Sequence, residues 1–175
     1  MIKTVCAASA AALVAVTLGR HRRWLFSLFF LGNRASAYPL SSPLTAHTLR
    51  LAPGDDMVVA LLDHCQKHSL SAACVLTCLG SLESITLRMA AAQEVVTFHE
   101  ELEIISLQGT ICSDREHHLH CSVSRRDGTV LGGHCKGPAP IRTTAEVVIG
   151  VLPSLTFTRD CDDVTGYKEL QIRQS

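Results

Sequence analysis

The sequence has no acidic residue before Asp55, and it is poor in charged and aromatic residues throughout its 175 positions. Charged residues make up 18% of the chain and aromatic residues 5%, whereas hydrophobic residues make up 47%. So apolar a composition excludes a disordered chain, and no polybasic arm for nucleic acid is present. The nucleophile elbow, the P-loop, the GxGxxG loop and the HExxH helix are also missing, which excludes the enzyme classes that depend on them.

The late appearance of acidic residues divides the chain into two parts of different charge. Residues 1–46 carry five basic residues and no acid, so residues 47–175 hold 11 basic and 16 acidic residues, a net charge of −5 with His neutral. Non-specific affinity for DNA comes mainly from neutralising phosphates. We therefore expect direct DNA binding by this acidic body to be disfavoured.

Residues 1–37 form an N-terminal extension with two apolar runs separated by the basic stretch at residues 20–23. Neither run reaches the roughly 20 residues that a membrane-spanning helix needs. A secretory signal with cleavage at Ala35-Ser36-Ala37, a mitochondrial transit peptide and a segment with no targeting role all remain open. The compartment is therefore unknown, and we expect any membrane contact to be confined to this extension. Residues 38–45, with Pro39 and Pro43, are predicted to be a linker.

Cysteine is abundant, but its spacing does not indicate a disulfide framework. Cys6 lies in the extension, and the body carries the odd number of seven, with no CxxC motif. A zinc ribbon and a thioredoxin motif are thereby excluded. We expect the seven to be free thiols and the body to fold in a reducing compartment, which argues against the secretory alternative.

Hydrophobic periodicity predicts an α+β domain over residues 46–172 with a short tail at 173–175. A helix is expected to begin at Asp55-Asp56 and to run to about Lys67. About seven mainly antiparallel strands are predicted, with one or two flanking helices, because residues 143–152 fit either a strand or a helix. The other expected strands are 47–51, 72–79, 84–89, 103–112, 118–124, 129–134 and 155–159, with 90–99 ambiguous and a polar tail after Arg159. Alternation along 102–107 predicts Leu102 and Ile104 on one face, and Glu103, Ile105 and Leu107 on the other.

Three histidines are predicted to meet on the hairpin formed by residues 118–134. His118 and His120 are two positions apart in a strand, so their side chains leave the same face. A two-residue turn at Asp127-Gly128 would turn His134 away from them. A three-residue loop at 126–128 with Gly128 left-handed would instead place His134 directly opposite His120. A bulge at Gly132-Gly133 could alter either register.

Three imidazoles on one rigid face would form a metal site with an open position for a ligand. Zinc suits such a site best, although iron, nickel and manganese remain alternatives. The alternative is that these are ordinary histidines of a hairpin. His47, His64, His68 and His99 are scattered along the sequence, and we interpret them as surface or core residues.

Two carboxylates are candidates for catalysis. Glu146 lies in the apolar stretch 145–149, where a carboxylate needs a partner, and Glu103 lies on an isoleucine-rich strand. Either could act as a general acid or base or support a metal-bound histidine. For both the alternative is a salt bridge, which for Glu146 would be to an arginine such as Arg88 or Arg142.

The same residues resemble the plants-and-prokaryotes conserved domain, also called DUF296. The similarity spans about residues 46–172 as a series of ordered motifs. These are His47-Thr48-Leu49-Arg50-Leu51-x-Pro53-Gly54-Asp55-Asp56, Leu79-Gly80-Ser81-Leu82, Thr86-Leu87-Arg88, Leu102-Glu103-Ile104-Ile105-Ser106-Leu107-x-Gly109-Thr110, His118-Leu119-His120, Asp127-Gly128-x-Val130-x-Gly132-Gly133-His134, Thr143-Thr144-Ala145-Glu146-Val147-Val148 and Thr165-Gly166.

The resemblance implies a homotrimer whose fold is similar to that of acetolactate decarboxylase, and it implies a metal, zinc or another divalent ion, on His118, His120 and His134. The expected function is to bind or transform a small molecule. Whether the protein is an enzyme stays open; if it is, a metal-dependent lyase or hydrolase is indicated. The alternative is a trimeric protein-interaction or regulatory module related to plant DNA-binding regulators. The chain lacks the Arg-Gly-Arg-Pro core of their AT-hook.

Overall fold

The computed structural model describes residues 39–175. These residues form one α-helix, an eight-stranded sheet and a separate two-stranded ribbon. In chain order the elements are β1 (Thr45–Leu51), α1 (Met57–Lys67), β2 (Ala72–Leu82), β3 (Ile85–Arg88), β4 (Val96–Phe98), β5 (Leu102–Cys112), β6 (His117–Ser124), β7 (Val130–Cys135), β8 (Ile141–Val151), β9 (Leu155–Cys161) and β10 (Lys168–Gln174). The predicted targeting extension, residues 1–37, lies outside the described residues.

The main sheet has the strand order β1-β8-β2-β5-β6-β7-β3-β4, and all neighbouring pairs are antiparallel. This confirms the mostly antiparallel α+β class. The sheet has eight strands rather than about seven, and α1 is the one helix in the described part. The apolar residues 143–152, which fitted either a strand or a helix, belong almost entirely to strand β8. This strand lies between β1 and β2 and is paired on both edges. The segment predicted to be a polar tail instead pairs as β10 with β9.

Helix α1 begins where the sequence predicts and packs on one face of the sheet. Asp56 is its N-cap: the Oδ1 atom accepts a hydrogen bond from the Val59 N–H at 3.0 Å, and Oδ2 accepts one from the Ala139 N–H at 2.7 Å. The cap therefore holds both the helix and the chain that leads into β8. Within residues 39–175, no helix is long and apolar enough to cross a membrane.

The main core lies between α1 and the sheet. Met57 and Leu61 of the helix are fully buried against sheet residues such as Leu87, Leu107 and Leu119. A smaller core fills the space under the β9–β10 ribbon, where Leu155 and Phe157 pack on Ala72 and Cys112. The ribbon is thereby fixed over one end of strands β2 and β5.

The alternation predicted for β5 is wrong at Leu107, which is buried with Leu102 and Ile104. The pairing of β5 with β6 shifts by one residue between Ile104 and Ser106. Such a bulge adds one residue to the strand and reverses the faces beyond it. Ile105 is left 51% exposed, and Leu107 returns to the core.

Six cysteines of the described residues are free, and five of them are buried: Cys65, Cys78, Cys112, Cys121 and Cys135. Burial raises the pKa of the Cys65 thiol to about 11 and that of Cys78 to about 12. The expectation that all seven body cysteines are free is wrong for Cys161, which is disulfide-bonded.

Candidate metal centre

The β6–β7 hairpin has the three-residue loop that brings the histidines together. His120 lies directly opposite His134, and Ser124 lies opposite Val130. The Gly128 N–H donates to the Arg125 carbonyl at 3.0 Å, the Arg125 N–H donates to the Thr129 carbonyl at 2.9 Å, and Gly128 has a φ of +84°. No bulge interrupts the pairing at Gly132-Gly133. The register predicted from the loop is therefore confirmed.

The imidazoles of His118, His120 and His134 meet on the sheet face opposite to the main core. Nε2 of His118 is 3.0 Å from Nε2 of His120. The ring centroid of His118 is 4.7 Å from that of His134, and those of His120 and His134 are 5.3 Å apart. One nitrogen of each ring lies within 4.8 Å of the others. The group has the size and the chemistry of a three-histidine metal site.

The backbone beneath this group is rigidly fixed. Leu119, Cys121 and Cys135, which alternate with the histidines, are buried in the main core. Gly109 lies opposite Leu119 with a φ of +143°, and a Cβ atom there would come within 1.8 Å of the His118 carbonyl oxygen. The close approach of β5 to β6 therefore requires glycine at position 109.

The environment favours the neutral form of His134 and His118. Burial, with the nearby charges of Lys136 and His118, lowers the pKa of His134 to about 3. Burial, Arg159 and His120 also lower the pKa of His118. Neutral imidazole is the form that binds metal. Within the described part of the chain, Nε2 of His134 is buried and has no hydrogen-bond partner. This nitrogen is therefore already desolvated and is available as a ligand for a metal ion.

Three clefts open onto the histidines. A cleft of about 480 Å³ lies between β7 and residues 89–93, with His118, His120, His134 and Tyr167 in its wall. A second, of about 350 Å³, extends to Arg159 and Glu169 of the ribbon. A third, of about 500 Å³, lies over Gln108 and Thr110 of β5. The rings are therefore accessible from several sides to a molecule of small size.

Charged groups that the sequence reasoning did not connect with the histidines surround them. Arg88 on β3 lies opposite His134 on β7, and its Nη2 atom is 3.5 Å from Nδ1 of His134. Lys136, Arg159 and Glu169 line the second cleft. Lys136 could have been found, because it lies two positions after His134 in an extended chain. Arg159 and Glu169 carried no such signal, because tertiary packing alone brings the ribbon to β6.

Neither predicted catalytic carboxylate lines the clefts around the histidines. Glu146 is exposed on β8 between Arg50 and Leu79, three strands away from β6 in the sheet. Glu103 lies at the far end of β5, opposite Ser124 and beside another cleft. The salt bridge suggested for Glu146 is absent among residues 39–175, where Arg142 pairs with Glu101 at 2.8 Å.

An antiparallel sheet with one covering helix and a three-histidine group on its open face defines a small α+β domain with a candidate metal centre. The model of the Plants and Prokaryotes Conserved (PCC) domain matches residues 38–153. The chain belongs to this family. The match ends before the β9–β10 ribbon begins at Leu155.

Relatives and solved structures agree with this membership. The chain is 38% identical over 146 residues to a "Bifunctional protein GlmU" of Synechococcus sp. (strain JA-3-3Ab), with 82% of this chain covered but only 23% of that protein. The structure of a hypothetical protein from Salmonella cholerae-suis matches with a TM-score of 0.76 and 38% identity, over 78% of this chain and 99% of that one. A metal-containing protein from Archaeoglobus fulgidus matches with a TM-score of 0.64 and 25% identity, over 75% and 97% of the two chains.

A plant relative bears on the expectation about DNA. The chain is 32% identical over 114 residues to "AT-hook motif nuclear-localized protein 2" of Arabidopsis thaliana, covering 61% of this chain and 34% of that protein. The chain thus spans 23% and 34% of the length of these two curated relatives. The AT-hook in this relative's name weighs against the expectation from the sequence, which disfavoured direct DNA binding.

Proposed function

We propose that the protein binds a small anionic molecule through a divalent metal ion held by His118, His120 and His134. The observation that carries the proposal is the convergence of three imidazoles, one of which has a buried and unpartnered Nε2 atom. Burying a polar atom without a partner costs about 1–3 kcal/mol. A metal ion would satisfy that atom and would be held by a preorganised set of donors.

The donor set favours zinc, with nickel, iron or manganese as alternatives. Three nitrogen donors leave at least one position for a ligand, and a bound ion would supply a positive charge that polarises a ligand oxygen. If Nε2 of His134 binds the ion, the ring proton resides on Nδ1. Arg88 can then no longer donate to Nδ1, and its guanidinium becomes available to the ligand.

The charges around the histidines favour an anion. Arg88, Lys136 and Arg159 line the clefts, and Glu169 is the one carboxylate there not engaged by a lysine. The other carboxylate of the second cleft, Glu116, pairs with Lys168. Arginine next to a metal ion suits carboxylate or phosphate groups, because its fork of N–H donors matches their oxygens.

Catalysis would require a further group. The sequence resemblance implies a fold similar to that of acetolactate decarboxylase, and on that expectation a lyase or hydrolase activity is proposed; both reactions need proton transfer. Glu169 lines two of the clefts beside His118 and is the candidate acid or base. We propose binding as the function and a lyase or hydrolase activity as its extension.

Metal analysis tests the proposal directly. All proteins are purified without chelator, and their transition-metal content is measured. His120→Ala is expected to contain about one equivalent per chain less than the wild type. His99→Ala, at an exposed histidine, is the matched control and should contain as much metal as the wild type. With oxalate as the probe anion, Arg88→Gln should weaken binding to the metal-loaded protein about tenfold. Less than about one tenth of an equivalent in the wild type, or equal metal content in the two variants, would contradict the proposal.

A trimeric interaction module is the second candidate, and exposed apolar residues favour it. Leu76 and Leu79 of β2 and Ile105 of the neighbouring β5 are 46%, 55% and 51% exposed. Because Cys78 and Ile104 point into the main core, Leu79 and Ile105 belong to the same open face as the histidines. In this function the histidines are structural, so His120→Ala would leave the oligomer and its partner binding intact. Sub-micromolar affinity in a gel-shift titration at physiological salt would instead identify DNA as the partner.

A further inference from the structure

A second group of histidines lies on the other side of the main sheet. His47, His64 and His68, which are scattered in the sequence, are neighbours in the structure. Nδ1 of His47 is 2.9 Å from Nε2 of His64. The ring centroid of His64 is 4.5 Å from that of His68, and those of His47 and His68 are 5.5 Å apart. From the sequence, each of the four scattered histidines is interpreted as a surface or core residue, and the structure brings three of them together.

Regular structure places each of the three. His47 is on β1 and lies opposite Ile149, with its side chain on the face that α1 covers, as for Leu49 and Leu51. His64 and His68 are four residues apart, at the last turn and the C-cap of α1. Residues with this spacing lie one above the other on a helix.

The end of α1 is itself held by hydrogen bonds. Ser69 adopts the left-handed conformation with a φ of +53°, its N–H donates to the Gln66 carbonyl, and the Leu70 N–H donates to the Cys65 carbonyl. This is the Schellman arrangement of a helix C-terminus. It fixes the backbone of His68 one turn from His64, and the His68 side chain is exposed.

The electrostatics of this position suit a cation with nitrogen ligands. Burial, His68 and His47 lower the pKa of His64. The last turn of a helix carries partial negative charge on its free carbonyls, so it favours a positive ion. Three imidazoles are ligands preferred by zinc, copper and nickel.

We propose that His47, His64 and His68 form a second site for a divalent transition metal, independent of the first. The two groups lie on opposite faces of the sheet. β1 and β6 are separated by three intervening strands, which corresponds to roughly 20 Å at a spacing of about 4.8 Å per strand. One ion cannot serve both groups. Because β1 is the edge strand of the sheet, an ion at this site would link that edge to the end of α1.

Nickel binding to the full chain tests this second site. The first group is removed with His120→Ala and His134→Ala, and calorimetry then measures Ni²⁺ binding to the resulting protein. We expect one equivalent with a micromolar dissociation constant. Adding His64→Gln should weaken binding at least tenfold, whereas adding His99→Gln, another exposed histidine on the far side of the molecule, should not change it. Circular dichroism checks that each variant is folded.

A residue-specific readout accompanies the calorimetry. Paramagnetic Ni²⁺ should broaden the ring signals of His47, His64 and His68 before that of His99. Absence of saturable Ni²⁺ binding in the protein without the first group, or equal effects of His64→Gln and His99→Gln, would overturn the proposal. Loss of metal from the first group alone leaves this experiment unaffected, so the two metal sites are tested separately.

Discussion

His134 shows how one side chain acquires its properties from its neighbours. It lies between Arg88 on β3 and His120 on β6, and Lys136 follows it two positions later. Burial, followed by the charge of Lys136, lowers its pKa to about 3, far below the ordinary 6.5. The side chain is thus neutral at every pH at which the protein is expected to work, which is the state that a metal ligand requires.

The depressed pKa of His134 predicts a dependence of stability on pH. Between pH 6.5 and about 3 the unfolded chain binds a proton at this residue and the folded chain does not, so stability is retained above pH 6.5 and lost as the pH falls. One fully shifted group contributes at most about 1.4 kcal/mol per pH unit, and partial exposure reduces this. Urea denaturation in the presence of chelator from pH 6.5 to 4.5 should therefore show a shallower slope for His134→Gln than for wild type. If the slope for His134→Gln equals the slopes for the wild type and for the control His99→Gln, the prediction is wrong.

At the level of elements, the N-cap of α1 joins two parts of the fold. Asp56 accepts hydrogen bonds from both Val59 and Ala139, one in the helix and one in the chain before β8. A single carboxylate therefore fixes the entry to the helix and the approach to an interior strand of the sheet. The side chain of its neighbour Asp55 accepts from the Ala52 N–H in the turn before the helix.

Removing this cap is expected to destabilise the protein measurably. Asp56→Ala should lower the free energy of unfolding by about 2 kcal/mol, roughly 1 kcal/mol for the cap and a similar amount for the bond to Ala139. Asp63→Ala, which removes an exposed ion pair with Arg115 at 2.7 Å, should cost less than about 1 kcal/mol. Chemical denaturation of both variants measures the difference. Equal losses would mean that the second bond of Asp56 contributes nothing.

Elements and site differ in how far the sequence could predict them. Periodicity and the Asp pair predicted α1, and the spacing of His118 and His120 with the loop at Gly128 predicted the histidine group. Local patterns could not predict the bulge at Ile105, because a bulge depends on the partner strand. They also could not predict the approach of Arg159 and Glu169, or the meeting of His47 with α1, since these arise from packing between distant segments.

On the scale of the whole molecule, the two faces of the sheet differ. One is covered by α1, and the other carries the histidines, the ribbon and the exposed side chains of Leu76, Leu79 and Ile105. Exposed apolar groups on a sheet face next to polar ones are typical of a surface that meets another protein chain. The proposed homotrimer would bury this part of the open face.

The proposed assembly can be tested without disturbing the core. Leu79→Asp combined with Ile105→Asp should convert a trimer into monomers, because two charges would be buried in the contact without partners. Light scattering coupled to size-exclusion chromatography gives the mass. Val164→Asp, at a position that is 80% exposed in the β9–β10 connection, should leave the mass unchanged. If the double variant keeps the wild-type mass, these residues do not form the contact.

The buried thiols allow the motion of the histidine hairpin to be followed. Cys121 and Cys135 lie on β6 and β7 beside His120 and His134, but they point into the core, and burial raises the pKa of each thiol. Since the thiolate is the reactive form, an alkylating reagent can modify them only when the hairpin separates from α1. Their alkylation rate in the native protein therefore measures how often β6 and β7 open. The thiols lie on one face of the sheet and the histidines on the other.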